Sequence, residues 1–203
     1  MDKEKVISYA RDAFSIEAEG VIATGKAMDY EALYKAVELL AAADRIASSG
    51  CGHSGIACMH FAHLMCCIDR PARFISPAEA VHGATGFIHH GDVMVLASRG
   101  GKTSELLPIL DICRKKGASV ITVTENIESP LAKGADIVLP MKVNKETDKF
   151  NSQGTTSFAT LSAVFDALQS ALVEYTGFRN EEFAINHPGG AVGERLNRKP
   201  IIR

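Results

Sequence analysis

The chain has no excess of either charge: 22 lysines and arginines stand against 24 aspartates and glutamates over 203 residues, interspersed, for a formal charge of −2. That denies it the basic stripe by which proteins hold nucleic acid or an anionic membrane. It has no uninterrupted apolar run of the ~18 residues a bilayer span needs, and Met1-Asp2-Lys3-Glu4-Lys5 is too charged for a secretory leader. It lacks a cysteine framework as well. The five cysteines (51, 58, 66, 67 and 113) are odd in number and lie in apolar helical or strand patterns. They are expected to be buried, inert and reduced, as in a cytoplasmic protein. With no repeat, low-complexity stretch or linker, the expectation is one α/β domain over residues 1–203.

What is present is an alternation of helices and strands. Residues 3–26 carry Val6, Ala10, Ala13, Phe14, Val21 and Ile22 at helical spacing, and Asp29 is placed to cap a second helix burying Leu33, Val37, Leu40 and Ala41. Five short apolar strands follow, at 45–48, 73–75, 93–97, 119–123 and 136–139, separated by helical segments. One of those segments carries Leu106, Leu107, Ile109, Leu110 and Cys113. Strands alternating with helices predict parallel pairing and a doubly wound, three-layer sheet. A polar loop (142–154) leads to a helix over 155–175, then a polar tail ending in Asn186-His187-Pro188-Gly189-Gly190.

In such a sheet ligands bind beyond the carboxyl ends of the strands, near the switch point. Three loops rich in small polar residues fall there: 48–54, 76–79 and Ser98-Arg99-Gly100-Gly101-Lys102-Thr103. The third joins a buried strand to a helix start, where free N–H groups and the helix dipole favour phosphate. Gly50-x-Gly52-x-x-Gly55 matches a dinucleotide fingerprint, but the acid that would hold the ribose is missing: Ser76 stands in its place, with Glu79 three residues late. Gly101-Lys102-Thr103 fails as a phosphate-binding P-loop because the motif's first glycine falls on Leu96. His60 and His63, with Cys51 and His53, complete no metal-ligand motif, so no metal is expected. His89-His90 read as solvated turn residues. His82 and His187 lie in irregular segments beside glycine, as capping or catalytic groups.

Together these residues resemble a sugar isomerase (SIS) domain, in particular the arabinose-5-phosphate isomerase family. The resemblance rests on Gly50-Cys51-Gly52-His53-Ser54-Gly55, Ser76-Pro77-Ala78-Glu79-Ala80-Val81-His82-Gly83, the 98–106 loop, and the tail from Gly177 through His187-Pro188-Gly189-Gly190 to Gly193. It implies a five-stranded flavodoxin-like sheet, a sugar phosphate ligand, no redox cofactor, and a homotetramer whose active sites borrow residues from neighbouring subunits. By position, it implies that Gly52, Ser54, Ser98, Gly101, Thr103 and Thr155 hold phosphate and hydroxyls. It assigns Glu79, His82, Glu105 and His187 to acid–base work or substrate contact. The chain departs from the family where His53 replaces Lys, Gly100 the second serine of the phosphate loop, Ala84 an Asp, and Ser152-Gln153-Gly154-Thr155 the usual Thr-Ser-Ser-Thr. The nucleotide-sensing CBS pair common in the family has no counterpart within these residues.

The activity so implied is aldose–ketose isomerisation through an enediol(ate). Such chemistry needs a base near neutrality that moves a proton between adjacent carbons, and donors to the oxygens where charge develops. Glu105 is the expected base, in the first turn of the helix at the phosphate loop. His187 is expected to open the ring or shuttle protons, His82 and His53 to polarise the oxygens, and Glu79 to orient them; the sequence does not order these roles. The alternative from another class is a non-catalytic phosphosugar-binding regulatory domain, with a nicotinamide dehydrogenase third.

Overall fold

Two aspartates start the fold. In the computed structural model, which describes residues 2–197, Asp2 accepts a hydrogen bond from the Lys5 N–H at 3.2 Å and opens α1 (Lys3–Ala27). Asp29 accepts from Glu31 and Ala32 N–H, both at 3.0 Å, and opens α2 (Tyr30–Ala42) as its position predicts.

The alternating units follow: β1 (Ile46–Gly50), α3 (Gly52–Cys67), β2 (Ala72–Phe74), the short α4 (Pro77–Ala80), β3 (Val93–Ala97), α5 (Leu107–Lys116), β4 (Ser119–Thr124), α6 (Pro130–Gly134) and β5 (Ile137–Pro140). All pairs are parallel, in the order β2-β1-β3-β4-β5. Direction of connection reverses between β1 and β3, and Gly50 pairs with Ala97, so the loops after these two strands leave the sheet side by side. β1 and β3 are buried along their whole length, which explains why they read as unbroken runs of apolar and small residues.

Two apolar layers cover the sheet. One joins α2, α3 and α7 (Thr156–Thr176) through Leu40, Phe61, Met65, Phe165 and Leu168; the Phe61 and Phe165 rings lie 4.7 Å apart. The other packs Leu106, Ile109, Leu110 and Cys113 against Met94, Leu96 and Leu131. Helix α7 is long and apolar enough, by length and composition, to cross a membrane. Here it packs against α1, α2 and α3, with Phe165, Leu168 and Leu172 fully buried.

The structure corrects three expectations. The helix after β3 begins at Leu107, so Glu105 stands in the turn before it rather than on it. The polar tail folds into α8 (Asn180–Asn186) and α9 (Gly190–Asn197). Cys66 is exposed, and Cys51 and Cys67 are half-buried, leaving only Cys58 and Cys113 as core thiols. Cys66 sits in an apolar stretch but on the outer face of α3.

Candidate active site

The β1–α3 junction is held tight by glycine. A Cβ on Gly55 would lie 2.6 Å from the Gly50 carbonyl oxygen, and one on Gly50 would lie 2.9 Å from the Ser54 backbone. Close packing of strand on helix therefore accounts for these two glycines of the dinucleotide-like pattern without any dinucleotide. Cys51 precedes α3 without capping it through its side chain, so the first-turn N–H groups of that helix, beginning at Gly52 and His53, face the edge where the strands end.

Beside them, the loop after β3 is fixed from within. The Ser98 and Thr103 hydroxyls lie 2.8 Å apart, and Gly101 N–H donates to Ser98 Oγ at 3.1 Å. Gly101 has φ +63, and a Cβ there would collide with the Ser129 side chain and lie 3.0 Å from Thr124 Oγ1, so both its conformation and its surroundings require glycine. The two loops and the one after β2 enclose an open cleft of about 410 Å³, lined by Gly50, Cys51, Gly52, Phe74, Ser76 and Glu105 among others. Convergence of three loops on one edge is thus present in the fold.

Glu105 faces this cleft and is exposed. The Ser104 hydroxyl donates to its Oε2 at 2.8 Å and, with its own backbone N–H, holds the carboxyl below its ordinary value. That direction is opposite to the tuning toward neutrality expected of the base. Burial, then the Glu105 charge, pushes the Cys51 thiol up, so Cys51 stays protonated.

A second cleft of about 430 Å³ opens on the other side of the α3 start, lined by Glu17 of α1, His53, Ile56, Gly154, Thr155 and Phe158 with Ala159. The His53 ring meets Phe158 edge-on, centroids 6.4 Å apart. Thr155 is already committed. Its Oγ1 donates to Glu146 Oε2 at 3.2 Å and accepts from Thr147 N–H at 3.0 Å and Thr147 Oγ1 at 2.9 Å. A hydroxyl with one proton and two lone pairs has nothing left for a ligand. Ser54 lies half-buried in the first turn of α3.

Glu79 and His82 are exposed, on and just after α4, and line neither cleft. His187 stands farther off. Helix α7 has 21 residues, about 30 Å, and carries the chain to the opposite edge of the sheet. There Asn186 Nδ2 donates to Asp69 Oδ1 at 2.6 Å, in the turn between α3 and β2. His187 closes α8, stacks on Phe183 and keeps its Nδ1 buried without a partner. One chain therefore gathers Gly52, Ser54, His53, Ser98, Gly101, Thr103 and Glu105 at one edge and leaves His187 at the other. His60 pairs with Asp166 at 3.2 Å and His63 with Cys67 at 3.7 Å, and no group of three potential metal ligands exists among the described residues. Sequence reasoning missed Glu17, Glu125 and the buried Glu146, which show only once loops distant in sequence meet.

The strand order, the switch-point clefts and the hydroxyl-lined turn after β3 define a flavodoxin-like α/β domain with its clefts at the carboxyl edge of the sheet. The SIS domain family model matches residues 39–171, and the chain belongs to that family. Arabinose 5-phosphate isomerase KdsD of Pseudomonas aeruginosa is 40% identical over 163 residues, covering 80% of this chain and 50% of KdsD. The chain spans about half the length of the curated relatives it matches. Among solved structures, one from Listeria monocytogenes superposes with a TM-score of 0.90 at 39% identity, covering 93% of this chain and 100% of the other. A protein of Escherichia coli CFT073, solved in complex with arabinose 5-phosphate, superposes with a TM-score of 0.86 at 26% identity, covering 93% and 100%.

Proposed function

We propose that the chain isomerises an aldose phosphate to its ketose, with arabinose 5-phosphate and ribulose 5-phosphate as the first pair to test. The observation that carries the reading is the placement of Glu105: an exposed carboxylate lining the switch-point cleft, two residues beyond Thr103 of the hydroxyl-bearing loop. In this reading the phosphate is held by the Ser98 and Thr103 hydroxyls, with Gly52 and Ser54 at the start of α3, while Gly101, its N–H already given to Ser98, shapes the turn; the phosphate does not react. It anchors the sugar so that binding energy goes into positioning.

Glu105 takes the C2 proton of the aldose. The C2–H electron pair becomes the C1–C2 double bond, and the C1 carbonyl oxygen gains a proton to give the enediol. A proton returned to C1, with loss of the O2 proton, leaves the C2 ketone. His53 and His82 are assigned to polarise O1 and O2, Glu79 to orient them, and His187 to open the ring, although none of the four lines the Glu105 cleft within one chain. Since His187 and Glu105 lie at opposite edges of one chain, these roles require the His187 of one copy to serve the Glu105 of another. A homotetramer with shared sites satisfies that requirement, and exposed Phe14 and Ile22 on α1 and Ile56 and Met59 on α3 offer apolar surface for such contacts.

The test is incubation with each pentose phosphate, with products identified by NMR. The reading requires each sugar to give the other. Saturable binding of both sugars with no conversion would favour a phosphosugar-binding regulator instead.

A further inference from the structure

Glu146 is 2% exposed, yet it lies in a loop with no regular structure. A buried carboxylate is costly unless donors surround it. Its Oε1 accepts from Arg99 Nη1 at 2.8 Å, and its Oε2 accepts from Thr155 Oγ1 at 3.2 Å and from Ser157 N–H at 3.1 Å. Ser157 lies in the first turn of the 21-residue α7, so the carboxylate sits at the positive end of a long helix. Glu146 occupies the place that a bound phosphate would take there.

Its cationic partner belongs to the loop after β3. Arg99 follows Ser98, and its guanidinium ties three segments together: Nη1 to Glu146, Nε to Glu125 Oε2 at 3.0 Å, and Nη2 to the Val143 carbonyl at 3.2 Å. The Arg99 carbonyl in turn accepts from Glu125 N–H and Thr124 Oγ1, both at 3.0 Å. Glu125 Oε1 accepts from Val143 N–H at 3.1 Å. The loops after β3, β4 and β5 and the start of α7 are thereby locked to one another through one residue of the Ser98–Thr103 turn.

We propose that Arg99 and Glu146 are positioning residues for the phosphate: Glu146 fills the α7 N-terminus as an internal anion, and through Arg99 it fixes the turn that receives the ligand's phosphate. The proposal rests on the phosphate reading of that turn. Neither residue touches substrate. Lysine replaces Arg99 only in part, because a single ammonium cannot serve Glu125, Glu146 and Val143 in three directions.

The test compares the wild-type chain with Arg99→Gln, Arg99→Lys, Glu146→Gln and the double variant Arg99→Gln/Glu146→Gln. Two readouts are used: the dissociation constant for inorganic phosphate, and kcat and KM for arabinose 5-phosphate. Expected are a rise of about tenfold in phosphate Kd and in KM for each single glutamine variant, with kcat changed much less, and an intermediate effect for Arg99→Lys. The double variant should lose no more than the worse single, since both belong to one network. A lowered melting temperature with unchanged phosphate Kd in the folded variants would mean a merely structural pair and would overturn the proposal. If wild type binds phosphate but converts no sugar, the isomerase reading falls while the phosphate comparison still decides the brace. If wild type binds no phosphate, both fall.

Discussion

Helices α3 and α7 start at the same edge of the sheet, yet their first turns meet different surroundings. α3 follows Cys51, whose side chain makes no capping bond, and opens onto two clefts at Gly52 and His53. α7 starts against the buried Glu146, which takes the Ser157 N–H and the Thr155 hydroxyl. Both turns present the same backbone donors and the same dipole. The difference teaches that a helix start is left open to an external anion only where the chain has not supplied its own.

The largest expected effect breaks the open side. Glu105→Gln keeps the shape of the cleft and removes the proposed base, so kcat should fall roughly 10³-fold while phosphate affinity stays near wild type. A loss below tenfold would remove Glu105 from that role. On the filled side, Glu146→Ala leaves the Arg99 guanidinium and the first turn of α7 without their carboxylate. Denaturant unfolding should show a loss of about 2 kcal/mol, since Arg99 keeps Glu125 while the Thr155 hydroxyl and the Ser157 N–H lose their acceptor. A loss under 1 kcal/mol would show that water replaces Glu146 readily.

Gly55→Ala tests the packing that leaves the α3 start open. The added Cβ would meet the Gly50 carbonyl oxygen at 2.6 Å, a backbone atom that cannot swing aside, and should cost about 2 kcal/mol. The smallest effect is one of pH. The Ser104 hydroxyl lowers the Glu105 pKa, so the active carboxylate persists to lower pH and is lost only as pH falls through that depressed value. Ser104→Ala should therefore move the acidic limb of kcat/KM upward, and an unmoved limb would separate Ser104 from the base.

The open side was legible in the sequence and the filled side was not. Val93–Ala97 shows itself because a parallel strand buried on both faces is an unbroken apolar run, and the serines and glycines after β1 and β3 mark the two loops that leave the sheet side by side. Glu146 gives no local sign. It is one acid among Lys142, Lys145 and Lys149, and its partner Arg99 is 47 positions away. Helix α8 was hidden for a related reason: over Asn180–Asn186 it buries only Ala184, so its composition is that of a solvated tail. Cys66 was misread because periodicity within α3 is weak where most of the helix is apolar. The separation of His187 from Glu105 could not be read at all, since it depends on how far α7 carries the chain.

The most direct measurement is proton NMR of the chain with arabinose 5-phosphate in deuterated water. The account predicts loss of the C2 proton signal as ribulose 5-phosphate appears with solvent deuterium at C1, and neither change with Glu105→Gln. A C2 proton that persists at high protein concentration and long times would contradict enediol chemistry on this sugar.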